Sequence, residues 1–117
     1  VILTQNARPG FRPYLHPIVA PDGKGILTEY SPGHHKHQTG LYWGFTRVNG
    51  RDYFHHPGGD YWKRKSLTVL KGKGAAVQWR TVYDLLDARG APVLSERQTW
   101  KMRVIDGEYL LDLTRGV

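Results

Sequence analysis

The stretch VQWRTVYDLLDARGAPVLSERQTWKMRVIDGEYLLDLT, residues 77–114, predicts three consecutive antiparallel strands. Two turn signals divide it, DARG at 87–90 and DG at 106–107. Between the turns, β-branched and aromatic residues alternate with polar ones, which is the period of a strand with one buried face. The rest of the chain shows turn punctuation at similar spacing and no convincing helical period. An antiparallel, all-β sandwich is therefore the expected fold class.

The DG turn sets the register of the last hairpin, because a two-residue turn determines which residues face each other. One face then pairs apolar residues and the other pairs opposite charges or threonines. The predicted pairs are Val104 with Tyr109, Met102 with Leu111, Trp100 with Leu113, Lys101 with Asp112 and Thr99 with Thr114. Such matching is what a correct register produces.

The DARG turn joins a strand around 77–86 to one around 93–105, and a loop of even length brings two alternating sets of residues to one face. These sets are Val77, Trp79, Thr81, Tyr83 and Leu85, and Leu94, Glu96, Gln98, Trp100 and Met102. Glu96 and Gln98 then point toward an otherwise apolar face. Two interpretations stay open: a sheet edge where polar residues meet water, or a cleft in which Glu96 is a general acid or base.

A further turn at Asn49-Gly50 predicts a hairpin in which Phe45 faces Phe54, Arg47 faces Asp52 and Trp43 faces His56. This register would bring the segment FHHPGGDYW, residues 54–62, close to the strand that carries Trp43.

Length and composition limit the classes of protein. The 117 residues fit one domain, so residues 1–117 are interpreted as a single β-sandwich domain. The chain starts at Val1 and stops in a strand-like segment, from which we expect an incomplete N-terminal portion of a longer domain. No apolar run reaches bilayer length, so a soluble chain is expected, and export stays open. The absence of cysteine excludes thiolate chemistry.

The net charge of +7 and the four tryptophans raise the question of nucleic-acid binding, since cations contact phosphates and aromatic rings stack on bases. The basic residues, however, are spread from Arg8 to Arg115, with local concentrations only at 63–65 and 71–74. A binding footprint would be more concentrated. The pattern therefore disfavours nucleic acid as a partner.

The segment SPGHHKHQTGLYWGF, residues 31–45, contains the candidate catalytic residues His34, His35 and His37. Histidine titrates near neutral pH and also binds metals. In an extended segment His35 and His37 share one face while His34 points away. A metal site would need further ligands, for which the chain offers His16, Glu29, His55, His56 and Asp60. A solvated polar loop and a metal-free site are the other interpretations.

A metal-free site fits a sugar, because an aromatic ring stacks on the apolar face of the sugar and polar neighbours bind its hydroxyl groups. The predicted hairpin would place aromatic and histidine side chains at one end of the sheet. The candidate substrate-binding residues are Trp43, His55, His56, Tyr61 and Trp62. Alternatively, Trp43 is simply part of the core.

Four ordered segments resemble the soluble bacterial family labelled methane oxygenase PmoA. They are RPYLHPIVAPDG (12–23), HHKHQTGLYWGF (34–45), VNGRDYF (48–54) and LLDLT (110–114). The resemblance covers most of the chain and the N-terminal part of the family's usual length. It implies an all-β fold distantly similar to the galactose-mutarotase supersandwich, and a carbohydrate ligand. It does not imply methane oxidation, since the copper enzyme of that name is built of membrane helices.

The family often has Asp-His-Pro-His-His-Arg-Gly where this chain has GHHKHQTG. Gly33 replaces the aspartate, Lys36 replaces a neighbouring residue, and 38–39 replace the arginine region. Any role of that aspartate or arginine therefore does not transfer. We expect a carbohydrate-active protein with proton transfer on a sugar. A non-catalytic carbohydrate-binding module and a metal-dependent oxygenase or hydrolase are the alternatives. The other expected partner is the remaining C-terminal part of the same polypeptide.

Overall fold

Seven strands form two antiparallel sheets in the computed structural model, which describes residues 2–117. The first sheet has three strands, β1 (Leu3–Asn6), β2 (Tyr14–Ile18) and β3 (Leu41–Tyr42). The second has four, β4 (Trp62–Lys71), β5 (Ala76–Leu86), β6 (Pro92–Ile105) and β7 (Glu108–Gly116). Both sheets keep chain order, and residues 2–117 include no helix. The predicted β-sandwich class is confirmed.

The two predicted hairpins of the larger sheet have the expected registers. Trp100 faces Leu113 and Lys101 faces Asp112 across β6 and β7. Across β5 and β6, Tyr83 faces Glu96 and Trp79 faces Trp100, so both alternating sets lie on one face as predicted. The ion pair of Asp112 forms with Arg103, at 3.9 Å, rather than with the residue directly opposite. Register thus followed from turn chemistry and alternation.

The hairpin at Asn49-Gly50 forms only at its turn, so the prediction was wrong beyond it. Val48 and Arg51 form an isolated bridge, and the amide of Tyr53 then donates to the carbonyl of Phe45 at 2.8 Å. Asp52 accepts hydrogen bonds from the amides of Phe54 and His55. Because this side chain competes with strand pairing for backbone amides, the ladder ends there. Trp43 and His56 are therefore not partners.

Two clusters of buried side chains join the sheets. In the first, Leu15 and Ile18 of β2 pack with Trp79, Trp100 and Met102 of β5 and β6. The second consists of Ala7, Tyr53, Trp62, Tyr83 and Leu85, so it joins the segment between β3 and β4 to the larger sheet. That segment therefore lies on the core and is held in place over the larger sheet. No helix in residues 2–117 has the length and apolar character needed to cross a membrane.

Candidate functional site

Histidines from the loop before β3 and from the loop before β4 contact each other. The ring centroids of His37 and His55 are 4.5 Å apart, and His35 lies 6.1 Å from His37. The ring of Phe54 packs against both, at 5.6 Å from His37 and 5.0 Å from His55. Loops rather than strands carry all three histidines. His35, His37 and His55 thus form one cluster, which we call the histidine cluster.

Asp52 orients one ring of this cluster. Its Oδ2 lies 2.6 Å from Nδ1 of His55, and its Oδ1 accepts from the amides of Phe54 and His55 at 2.9 and 3.1 Å. Partial burial opposes ionisation, but these hydrogen bonds outweigh it and lower the pKa of Asp52. The ionised carboxylate accepts a hydrogen from Nδ1, which leaves Nε2 of His55 as the free ring nitrogen.

His37 is set up differently from His55. Partial burial, followed by the fields of His55, Arg12 and His35, lowers the pKa of His37 against the opposing effect of Asp52. At neutral pH His37 is therefore an uncharged imidazole with a lone pair available to accept a proton. The cluster combines a neutral histidine with one held by a carboxylate.

Arg12 connects the two segments that carry the histidine cluster, because it bonds to the backbone of both. It is completely buried, and its guanidinium donates to the carbonyl of Phe54 at 2.6 Å and to that of His37 at 2.7 Å. A third bond reaches Oγ1 of Thr39 at 3.1 Å, and the ring of Tyr42 lies 3.7 Å from Cζ. Burial lowers the pKa of Arg12 to about 10, so it remains charged at neutral pH. One side chain thus holds the backbone on both sides of the histidine contact.

An aromatic cleft of about 640 Å³ adjoins the cluster. Its lining residues come from one continuous segment and from Phe54, and they are Tyr42, Trp43, Gly44, Phe45, Thr46, Arg47, Val48 and Phe54. Phe54 belongs to both the cleft and the cluster, so a ligand in the cleft would lie next to the histidines. Gly44 permits this packing, because an added Cβ would lie 3.0 Å from Cα of Phe54. Trp43 is 44% exposed and presents its ring to solvent.

Glu96 takes a different place from the one predicted for a catalytic acid or base. It is 1% exposed, and both carboxylate oxygens are occupied, by Nε2 of Gln98 at 2.8 Å and by Nη2 of Arg115 at 2.7 Å. Gln98 in turn accepts from the indole of Trp100. Arg115 lies against the rings of Trp43 and Phe45. Glu96 therefore positions Arg115 behind the cleft and does not itself reach a ligand.

The remaining predicted substrate-binding residues do not join Trp43. Trp62 is completely buried and donates its indole hydrogen to the carbonyls of Tyr53 and His56, so its assignment to a binding surface is corrected to the core. His56 stacks on Tyr61 at 4.6 Å. Both line a second cleft of about 720 Å³ that also includes Arg51 and Asp87.

His34 is exposed and lies outside the ring contacts of the cluster. Of the other potential ligands, His16 contacts Oγ1 of Thr28 through Nδ1, at 2.7 Å, while Glu29 and Asp60 are exposed. Within residues 2–117, no three or more histidine, aspartate and glutamate side chains are arranged to hold a metal ion.

Two residues of the site were not identified from the sequence. Asp52 was assigned to a strand pair with Arg47, although its position three residues before His55 suits a turn that caps the following backbone. Arg12 was noted only within a family-like segment. The sequence feature that could have identified Arg12 is a single arginine inside the largely apolar segment FRPYL, and the structure buries the next three residues. A charged residue in such a setting requires several partners.

A family model described as a family of unknown function (DUF6807) matches residues 4–116. No curated protein and no solved structure matches the chain. The description of the family names no activity, so the resemblance to the PmoA-labelled family, the carbohydrate ligand and the site residues stay predictions.

Proposed function

The chain belongs to the DUF6807 family, and we propose that it binds a carbohydrate in the aromatic cleft and transfers a proton on that sugar. The observation that carries the proposal is the contact of His37 with His55 beside Phe54, a residue that the cluster shares with the cleft. Exposed Trp43 offers a ring on which a sugar stacks through its C–H face. Proton donors and acceptors and an aromatic platform are thus adjacent.

The two histidines suit opposite roles. His37 is neutral at neutral pH and acts as the base that removes a proton from a sugar hydroxyl or carbon. His55 acts as the acid in its imidazolium form: Nε2 delivers its proton to the sugar, while Nδ1–H stays bonded to the carboxylate of Asp52, which compensates the positive charge. After one turnover the two rings have exchanged protonation states. Solvent restores them, because His55 is exposed.

Replacing His37 or His55 by glutamine should reduce turnover by about 10²–10⁴-fold, the usual contribution of one acid or base. Turnover is measured with glucose, galactose and xylose, by polarimetric mutarotation for proton transfer at oxygen and by deuterium exchange in D₂O for transfer at carbon. Lys36→Gln is the matched control, since Lys36 is exposed in the same loop. It should retain turnover. Full turnover in both histidine variants, or no turnover of any sugar by the unmodified chain, would contradict the proposal.

Turnover should also stay high on the acid side of the ordinary histidine pKa of about 6.5. The reason is that burial and neighbouring positive charge lower the pKa of His37, so the base loses its lone pair only at more acidic pH. The rate measured from acid to neutral pH gives the position of this limb. A limb displaced above the ordinary value would show that His37 is not the base.

Exposure of Trp43 also favours the second candidate, a carbohydrate-binding module without catalysis. In that case the sugars bind to the unmodified chain, measured by calorimetry, while none is converted. The histidine variants would then weaken binding only modestly, because each removes one hydrogen bond worth about 0.5–1.5 kcal/mol. A metal-dependent reaction would instead lose turnover on treatment with a chelator.

A further inference from the structure

The aromatic cleft carries positive charge in its wall. Arg47 lines it and is exposed, and no hydrogen bond or ion pair engages its side chain within residues 2–117. Behind the wall, Arg115 lies 5.1 Å from the ring of Trp43 and 4.9 Å from that of Phe45. Arg12 lies against Tyr42. Arg47 therefore belongs to the lining of the aromatic cleft, and Arg12 and Arg115 contact aromatic rings of that lining.

The acidic residues nearby are already compensated. No aspartate or glutamate is among the residues that line the cleft. Glu96 is buried and forms its ion pair with Arg115 at 2.7 Å. Asp52 is occupied by His55 and by two backbone amides. Three guanidinium groups and one paired buried carboxylate leave the wall with a net positive charge, which aromatic surroundings of low polarity concentrate at the cleft.

We infer that the sugar bound in this cleft carries an anionic group, which Arg47 receives. The inference rests on the proposed function and specifies the class of its ligand. A guanidinium binds a carboxylate or a phosphate through two parallel hydrogen bonds, and Arg47 has its donors free. The adjoining rings of Trp43 and Phe54 contact the sugar ring itself. The net charge of +7 also attracts an anionic ligand to the protein at long range.

The test compares three sugars of one configuration by calorimetry with the full chain: galactose, galacturonate and galactose 6-phosphate. The anionic sugars should bind about tenfold more tightly than galactose, which corresponds to one charge-assisted hydrogen bond. The advantage should shrink as salt increases, because the cleft is open to solvent. A preference for galacturonate or for the phosphate identifies which anionic group the site accepts.

Arg47→Gln should abolish this preference while galactose still binds. Lys73→Gln is the matched control, since it removes one charge from the exposed turn between β4 and β5, away from the cleft lining. It should retain the preference. Equal affinity for all three sugars, or an equal loss in both variants, would refute the anionic ligand and leave sugar binding intact. If none of the three sugars binds, the proposed function fails together with the inference.

Discussion

Arg12→Gln is expected to lower the free energy of unfolding by about 3–5 kcal/mol, the usual cost of removing one member of a buried polar arrangement. The substitution leaves the carbonyls of Phe54 and His37 and the hydroxyl of Thr39 without their donor. An acceptor that loses its partner away from water costs about 1–3 kcal/mol, and here Thr39 is buried while the two carbonyls are partly buried. The loss is partly offset, because the charged guanidinium no longer has to be kept in a buried site. Chemical denaturation measures the difference.

The same variant should separate the histidine rings, because Arg12 holds the backbone of both segments. Nuclear Overhauser effects between the rings of His37 and His55 report this contact. Arg12→Lys should give an intermediate result, since an ammonium group cannot reproduce the planar fork. Arg8→Gln is the matched control, because Arg8 is exposed, donates to two tyrosine hydroxyls and lies over the ring of Phe11 at 4.0 Å. These are surface contacts, so a loss of no more than about 1 kcal/mol is expected. A loss below about 1 kcal/mol in Arg12→Gln would contradict the role of Arg12.

Gly40→Ala should have a similarly large effect, a loss of about 3–5 kcal/mol in the free energy of unfolding. Gly40 has φ of +73°, and an added Cβ would overlap the carbonyl oxygen of Leu15 and lie 2.8 Å from Cβ of His16. Because Leu15 pairs with Leu41, relief of this overlap requires β3 to move away from β2. Thermal and chemical denaturation measure the loss.

Gly50→Ala separates the two causes of the loss in Gly40→Ala, which are the left-handed backbone conformation and the overlap with Leu15. Gly50 has nearly the same conformation, φ +78°, but an added Cβ there meets no atom within 4 Å. The free energy of unfolding of Gly50→Ala should therefore fall by only about 1–2 kcal/mol, which is the cost of placing a residue with a Cβ in a left-handed backbone conformation. If the two alanine variants lose equal amounts, the contact between Gly40 and Leu15 is not a source of strain, and the position of β3 would need revision.

Sequence reasoning predicted the larger sheet because its information is local. Asp106-Gly107 and the turn at 87–90 determine the hairpin registers, and alternation then assigns the faces. The Asn49-Gly50 hairpin had the same turn signal, yet the side chain of Asp52 took the backbone amides that a ladder needs. A short side chain that bonds to nearby amides is hard to distinguish in sequence from one that faces a strand partner.

The candidate site was predicted less completely, since its contacts are tertiary. The sequence indicated that histidines from both segments could approach each other, and His37 and His55 do so, but through a loop contact and not through a strand pair. It did not show which aromatic residues face solvent. Trp43 and Trp62 carry similar local patterns, and only the packing of Trp62 against Tyr53 and Tyr83 determines that it is buried.

The contrasting exposure of the tryptophans gives the chain an internal optical reporter. Trp62, Trp79 and Trp100 are buried, whereas Trp43 is 44% exposed in the wall of the aromatic cleft. Collisional quenchers such as iodide reach only indoles that contact solvent, so the quenchable part of the emission belongs to Trp43. Trp79 and Trp100 lie parallel at 6.2 Å, a separation at which two indoles couple electronically and produce a paired signal in circular dichroism. Quenching of Trp43 therefore reports a ligand in the cleft, and the circular dichroism of Trp79 and Trp100 reports the integrity of the larger sheet. Neither measurement needs an added label.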